Sequence, residues 1–445
     1  MDMRRAGWEK LNGSVARARR RRSVAAAIGL RGVVTVVALA GTAGFARADG
    51  GHNGWMPFPG GAGDSTSVPP YDRSFVRNWE ANPPRGFPTL SATNLAPTKA
   101  AIKRYAEIVE HGGWKPVPEL QLQAGATDPA VIVLRDRLLL SGDLREQSGH
   151  SDHFDENLEK AVKRFQASNG LTPTGVLDKR TIGALNVPAE TRLRQLRTNL
   201  TRLQDFAPSL GKRYVVVNIP SAQVEVVESD RVVSRHSGVV GKLDRPTPLL
   251  RSEIHELNFN PTWTLPPTVI EKDLIPKGRE MQRNHQNVLA KYGIDAYGPD
   301  GKKRDPASVD WSSAAVRNLV YMQQPGKENP LGFLKINFPS EHSVYMHDTP
   351  SGSLFGRSFR AASSGCVRVQ NIEQLAAWLL TVNGGWSAER IEQMKKTGER
   401  QDVRLKQPVP LYFVYMTAWA TEDGVVQFRR DIYNKDGVGA TASAY

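Results

Sequence analysis

The stretch Ala361–Asn371 reads AASSGCVRVQN and holds Cys366, the only cysteine in 445 residues. A single thiol cannot close an intramolecular disulfide. Three uses remain: a small buried apolar group, an intermolecular bridge, or a nucleophile. For acyl chemistry the sulfur must reach its thiolate form, and a nearby imidazole, cation or helix N-terminus lowers the thiol pKa to that end. The sequence offers all three. Arg368 lies two residues on, a helix is expected to open near Asn371 with its amino end toward the sulfur, and nine histidines supply candidate bases. His347 is favoured because it closes the apolar run SVYMH and opens the turn DTPSG, 19 positions before Cys366. His236, His255 and His342 compete with it. Gly365 lets the backbone approach a substrate, so the amides of Gly365 and Cys366 are expected to form an oxyanion hole. Tyr345, two residues before His347 on the same strand face, can add its hydroxyl. Each residue also has a plain structural use, as a satisfied turn histidine, a half-buried strand tyrosine or an arginine in an ion pair.

These groups must be held by a scaffold. From Arg213 the chain runs in short apolar or alternating stretches (YVVVNIPSAQVEVVESDRVVSRHSGVVG, SEIHELNFNPTWTLP, FLKINFPSEHSVYMHDT), which predicts a β-rich domain. A polar, helix-prone insertion lies between Pro266 and Pro330 and is placed to act as a lid. Helical periodicity returns in NIEQLAAWLLTVNGGW. Upstream, VIVLRDRLLLSGDL, FDENLEKAVKRFQASNGL and LDKRTIGALNVP predict three short helices, with Leu134, Leu138, Ala161, Phe165, Leu171, Ile182 and Leu185 inward. This bundle is flanked by a helix opening at Thr98 and a long one over 189–210, expected to join as one scaffold into which it is inserted. The resulting class is α+β, with boundaries at 71–127 and 189–212 for the scaffold, 128–188 for the bundle, 213–395 for the β-rich domain (insertion 266–330) and 396–445 for a C-terminal strand region.

The N-terminus is of another kind. Residues 1–48 combine a basic segment, an apolar core and the ending Ala46-Arg47-Ala48, the parts of a secretory signal peptide cleaved after Ala48. A retained anchor is the alternative, with Arg31 interrupting its apolar run. Residues 49–70, rich in Gly, Pro and Ser, read as a flexible linker. The leader holds ten basic and two acidic residues, so of the formal charge of +14 about +6 remains beyond it. The remaining charges are scattered rather than interleaved with aromatics, which disfavours nucleic acid and suits a polyanionic envelope polymer. No cofactor or metal is expected; His150–His153, HSDH, lies in a loop with no further ligand.

Two stretches resemble known families. AVKRFQASNGLTPTGVLDKRTIGALN is similar to the peptidoglycan-binding module of bacterial wall enzymes, above all at Phe165-Gln166, Gly170-Leu171 and Gly175. HDTPSGSLFGRSFRAASSGCVRV resembles the signature of the L,D-transpeptidase catalytic domain (YkuD type), a His followed at a set interval by Ser/Thr-x-Gly-Cys. The commoner signature has a second His before the Gly, where Ser364 stands here. The larger branch with an inserted wall-binding module shares this departure, and NPTWTLPPTVI, PGKENPLGFLKINFP and YMTAWATEDGVVQFRRDIYNKD are similar to it.

The resemblance, covering roughly Tyr71 to the end, implies a mostly-β catalytic domain with a helical lid, and an exported, periplasmic or envelope location. Cys366 would attack the carbonyl between the third stem residue and the terminal D-alanine, with His347 as general base and acid. The thioester would pass to a second stem's amine as a 3→3 crosslink. Arg368, Ser364, Trp263 and Asn371 would contact the substrate. The group that orients the imidazole stays open between Asp348, whose place next to His347 on a strand points it to the opposite face, and a backbone carbonyl. The partners implied are a donor tetrapeptide and an amine acceptor, which can be a second stem or an envelope protein. Water as acceptor, giving an L,D-carboxypeptidase, and a non-catalytic wall-binding scaffold are the competing readings. Papain-like proteolysis is disfavoured, because there the Cys precedes its His.

Overall fold

The computed structural model describes residues 84–145, 151–357 and 359–437, so the leader expected at 1–48 and the linker at 49–70 lie outside the described residues. Helices Ala130–Ser141, Glu156–Ser168 and Lys179–Leu185 form the small bundle. Asp155 and Asp178 cap the second and third, accepting from the amides of Leu158 and Thr181 at 2.8 Å each. Leu134, Leu138, Leu158, Ala161, Phe165 and Leu185 close its core. Gln166 has a structural duty here: its buried amide donates to the Val176 carbonyl at 2.9 Å and accepts from the Gly175 amide at 2.8 Å, which ties down the loop between the last two helices.

Helices Leu95–Glu110 and Ala189–Phe206 flank the bundle in sequence and share one apolar cluster built from Ala101, Tyr105, Leu193 and Leu196 with Ala418, Ala420, Val426 and Phe428. The first begins at Leu95 rather than at Thr98. Thr98 is fully buried inside it, where its hydroxyl accepts from the Ala420 amide at 3.0 Å.

The strands are β1 (Arg213–Asn218), β2 (Gln223–Glu228), β3 (Arg231–Gly241), β4 (Leu250–Phe259), β5 (Trp263–Thr264), β6 (Ile294–Tyr297), β7 (Val320–Gln323), β8 (Leu334–Asn337), β9 (Met346–His347), β10 (Ala361–Ser363), β11 (Val367–Val369), β12 (Gln401–Val414), β13 (Ala418–Ala420) and β14 (Val426–Phe428). Nine of them form one mixed sheet in the order β10-β3-β11-β9-β8-β4-β12-β1-β2, and the further pairing of β2 with β3 closes eight of them on each other, with β10 outside at the end of β3. Closure leaves only the three-residue β10 as an edge, too short to template aggregation. β12 lies between β4 and β1, so the described part of the region after residue 395 does not stand apart as the boundary there would have it. Helices Ile372–Leu380 and Ala388–Thr397 cover the sheet through Leu375, Ala376, Leu379, Ile391 and Met394.

The insertion builds a core of its own. Besides helices Ile275–Arg283 and Val288–Tyr292 it carries β6 and β7, which join β5 just ahead of it in the small sheet β5-β7-β6, and its cluster includes Leu274, Leu289, Trp311 and Tyr321. Trp311 stacks on Tyr321, and a Cβ on Gly278 would overlap the Trp311 indole. Gly278→Ala is therefore expected to loosen this insertion while sparing the main sheet, because the two cores are separate. Limited proteolysis should cut the variant within 266–330 well before wild type; unchanged cleavage there would mean that the helix shifts to admit the methyl.

Candidate active site

The alternation of side chains along three adjacent strands builds the site. Leu334 and Ile336 on β8, Met346 on β9, and Val367 and Val369 on β11 are all fully buried in the main core. The residues between them project from the opposite face. β9 and β11 pair in parallel, with Val367 opposite Met346 and Arg368 opposite His347, while Lys335 on antiparallel β8 stands opposite His347 from the other side. One residue before this ladder, the Val367 amide donates to the Tyr345 carbonyl at 3.0 Å and sets Cys366 beside Tyr345. Cys366, Tyr345, His347, Arg368 and Lys335 thereby gather on one face, with Cys366 and His347 at diagonal positions.

Cys366 sits in a buried environment that pushes its thiol pKa up, opposed by hydrogen bonds from the Tyr345 amide and hydroxyl and by the charges of Lys335 and Arg368. The Tyr345 hydroxyl accepts from the Trp263 indole N–H at 2.8 Å, which leaves its own proton to donate; burial raises its pKa well above the ordinary value, so it stays a donor. Trp263 thus lies behind Tyr345 as its support, and Tyr345 packs against the core of the insertion. The Lys335 ammonium lies 4.5 Å from the Tyr345 ring centre, and burial lowers its pKa.

His347 Nδ1 lies 2.5 Å from the carbonyl oxygen of Asp348. A carbonyl can only accept, so Nδ1 carries the proton and Nε2 is left with its lone pair. A backbone carbonyl therefore orients the ring, which decides between the two alternatives left open by the sequence. The Asp348 carboxylate turns away to accept from the Phe333 amide at 3.0 Å, in a space that a side chain on Gly332 would occupy. Burial, then Arg368, lowers the His347 pKa to about 3. The resting pair is thus a neutral thiol and a neutral imidazole. Arg368 is buried, its Nη1 lies 3.5 Å from Thr349 Oγ1, and burial brings its own pKa down to about 10, which leaves it cationic.

The turn before the sulfur departs from the sequence reading at two points. The Gly365 amide donates to Ser363 Oγ at 3.1 Å, and Ser363 Oγ donates to the Cys366 carbonyl at 2.6 Å, so the Gly365 N–H faces inward and is not an oxyanion donor. Gly365 is required for another reason: its φ is +117°, in the left-handed region. The helix N-terminus is also misplaced, since β11 intervenes before helix Ile372–Leu380 and carries the chain about 10 Å onward. Asn371, with φ +51°, turns the chain at that far end, away from the sulfur, and Ser364 is half-buried in the turn.

Sequence reasoning passed over Lys335, Thr247 and Tyr433. Thr247 Oγ1 donates to the Gly365 carbonyl at 2.8 Å and accepts from the Gly241 amide at 2.8 Å, and the Tyr433 hydroxyl accepts from the Thr247 amide at 3.2 Å and donates to the Gly241 carbonyl. Nearby, Arg245 Nη1 meets Asp273 Oδ2 of the insertion at 3.0 Å, both side chains buried. Lys335 had a signal, a lone cation alternating with apolar residues in FLKIN. Of the competing histidines, His236 is a satisfied core residue between Ser234 Oγ and the Gln370 carbonyl, both at 3.0 Å, with its pKa lowered by burial to about 4. His255 is half-buried on β4, and His342 is exposed.

Two pH effects follow. Alkylation of Cys366 by iodoacetamide should rise steadily into the alkaline range, with no fast plateau between about pH 4 and 7; such a plateau would reveal a preformed thiolate–imidazolium pair. His347 and His236 are neutral when folded, yet take up a proton near pH 6.5 when unfolded. The unfolded state binds more protons below that value, so their contribution to stability is present above about pH 6.5 and lost as the pH falls toward 4 and then 3. Denaturant titrations across that window should show the loss, and His236→Gln should flatten it in part.

Residues 212–403 match the family model of the L,D-transpeptidase catalytic domain, YkuD, and residues 127–185 match that of a "Putative peptidoglycan binding domain". A curated relative from Haemophilus influenzae, named "Putative L,D-transpeptidase", is 32% identical over 222 residues, which are 50% of this chain and 44% of the relative. This chain therefore matches less than half of that relative's length. Among solved structures, an L,D-transpeptidase from Xylanimonas cellulosilytica overlaps 67% of this chain and 100% of its own at 15% identity and a TM-score of 0.22. One from Stackebrandtia nassauensis overlaps 66% and 94% at 11% identity and a TM-score of 0.26. The strands β9 and β11 that gather Cys366, His347 and Tyr345 lie within the first matched segment, and the chain thus carries an L,D-transpeptidase catalytic domain of the YkuD family together with a peptidoglycan-binding domain.

Proposed function

We propose that this protein forms 3→3 crosslinks in peptidoglycan through a Cys366 thioester, releasing D-alanine from a tetrapeptide donor. The placement of a half-buried thiol beside a hydrogen-bond donor and diagonal to an oriented imidazole, inside a transpeptidase domain, carries the reading. The thiol of Cys366 adds to the carbonyl between the third stem residue and D-alanine as His347 Nε2 takes the S–H proton. The negative charge passes to the former carbonyl oxygen, which accepts from the Tyr345 hydroxyl and the Cys366 amide. As the C–N bond breaks, the imidazolium returns its proton to the leaving amine and D-alanine departs. The amine of a second stem then adds to the thioester and gives its proton to His347; collapse forms the new amide and restores the thiol.

The charges around the site support this sequence. Arg368 and Lys335 oppose an imidazolium but favour thiolate and oxyanion, so proton transfer is expected to accompany attack rather than precede it. Arg368 and Lys335 also suit the free carboxylate of the terminal D-alanine. Trp263 acts through Tyr345, and Thr247 with Tyr433 holds the Gly365 carbonyl and hence the turn that presents the sulfur. We infer an envelope location from the substrate and propose a scaffold of residues 71–127 and 189–212 carrying the bundle.

The test is intact-protein and product mass spectrometry after incubation with disaccharide-tetrapeptide. Wild type should gain a stem adduct lacking D-alanine and yield crosslinked dimers, and Cys366→Ala should do neither. His347→Gln should slow adduct formation by about 10²- to 10⁴-fold, and Tyr345→Phe by about 10- to 10³-fold. Trimmed tripeptide without dimers would make water the acceptor and the protein an L,D-carboxypeptidase. No adduct, with binding to sacculi intact, would leave a wall-binding scaffold.

A further inference from the structure

The carbonyl of Asp348 holds the imidazole, whereas its carboxylate takes no direct part in the chemistry above. That carboxylate is half-buried, and burial pushes its pKa up. Its Oδ2 accepts from the Phe333 amide at 3.0 Å, and the Thr349 amide also donates to it. The Asp348 amide in turn donates to the Leu334 carbonyl at 2.9 Å. Residue 348 is thus tied to the start of β8 through main chain and side chain together, directly beside the base.

The segment it is tied to is itself fixed. Asn329 is fully buried; its Nδ2 donates to the carbonyls of Pro261 and Gln324 at 3.0 and 3.2 Å, and its Oδ1 accepts from the Leu331 amide at 2.9 Å. The Gly332 amide donates to the Asn329 carbonyl at 3.0 Å, and the Phe333 carbonyl accepts from the Asn260 amide at 2.7 Å. These bonds close the neck of the insertion. Gly332 has a φ of +62°, and a Cβ there would overlap the Asp348 side chain, so only a glycine lets the carboxylate reach the Phe333 amide. The Pro330 carbonyl of the same turn also hydrogen-bonds with the His347 ring. A neutral imidazole carries its proton on the nitrogen that finds the better acceptor, and only the Nδ1–H form leaves Nε2 with the lone pair that takes the thiol proton.

We propose that the Asp348 carboxylate is a positioning group for the base: anchored on the Phe333 amide in the space left by Gly332, it keeps its own carbonyl on His347 Nδ1 and so keeps Nε2 available to Cys366. The role of His347 as base rests on the transpeptidase reading above; the anchoring of its ring does not. A displacement of about 1 Å at a reacting group can cost about 10²-fold in rate, so a side chain that faces away from the chemistry can still govern it. The neck of the insertion bears on His347 in this way, as Trp263 bears on Tyr345.

The experiment compares the full chain with its Asp348→Ala, Asp348→Asn and Gly332→Ala variants, using NMR of ¹⁵N-labelled histidine for the ring and adduct formation with disaccharide-tetrapeptide for activity. His347 has a pKa of about 3, so at neutral pH its tautomer is read directly, with its signals assigned by their loss in His347→Gln. Wild type should show the Nδ1–H form. Asp348→Ala and Gly332→Ala should shift His347 toward a mixture with Nε2–H and lower the maximal rate of adduct formation about 10- to 100-fold, with the half-saturating tetrapeptide concentration little changed. Asp348→Asn keeps an oxygen for the Phe333 amide and should retain the Nδ1–H form and most of the rate. A folded Asp348→Ala with the wild-type tautomer and rate would overturn the proposal; should that variant not fold, the same result in Gly332→Ala would overturn it. So would an Asp348→Asn as impaired as Asp348→Ala, because the charge rather than the anchor would then be responsible. Absence of the adduct in wild type, with the tautomer shift still present in Asp348→Ala, would overturn the transpeptidase reading and support the anchoring.

Discussion

The parallel pairing of β9 with β11 is the constraint on which the site depends. Side chains alternate with a period of two, so a slip of one residue would send Cys366 and Arg368 into the core and expose Val367. Register is held because Met346, Val367 and Val369 are fully buried beneath the polar face. Hydrophobic burial on one side of the sheet is thus what fixes the chemistry on the other. The turn ahead of β11 is set separately, through the positive φ of Gly365 and the Thr247 hydroxyl on its carbonyl.

Burial works against the chemistry that it positions. It raises the thiol of Cys366 and lowers His347 to about 3, so both partners rest neutral. A preformed ion pair in such a place would have to meet the full desolvation cost of two charges. Charge instead develops when substrate arrives, next to Arg368 and Lys335. The Tyr345 hydroxyl, backed by Trp263, is already aimed at the sulfur and needs little reorganisation.

The segments outside the sheet connect to the site by traceable contacts. The insertion reaches it through Trp263 and through the buried Arg245–Asp273 pair. The C-terminal segment reaches it through Tyr433, whose amide donates to the Tyr415 hydroxyl at 2.7 Å while Tyr415 donates to Asp431 at 2.6 Å. The same segment meets the bundle through Arg429. Bundle, sheet and insertion are therefore linked by polar contacts at their junctions, each with an apolar core of its own.

The sequence by itself determined the parts whose signals are local. A lone cysteine in a Ser-Gly-Cys turn, a histidine closing an apolar strand, three short helices, two of them capped by aspartates, and a run of β-branched strands all follow from neighbours within a few residues. It left the partner of the imidazole open between Asp348, a strand neighbour that faces the other way, and a backbone carbonyl, and the fold decided for the carbonyl. What only the tertiary structure decided depends on residues far apart in the chain. Lys335 joins the site through cross-strand register, and Thr247 and Tyr433 through the packing of a loop and the C-terminal segment. The Gly365 amide turned inward because Ser363 offers it an acceptor, and β11 carried the helix N-terminus away, which no spacing rule could convey. β12 entered the middle of the sheet for the same reason: strand order is fixed by non-local pairing, and a strand's place in a sheet leaves no mark on its own residues.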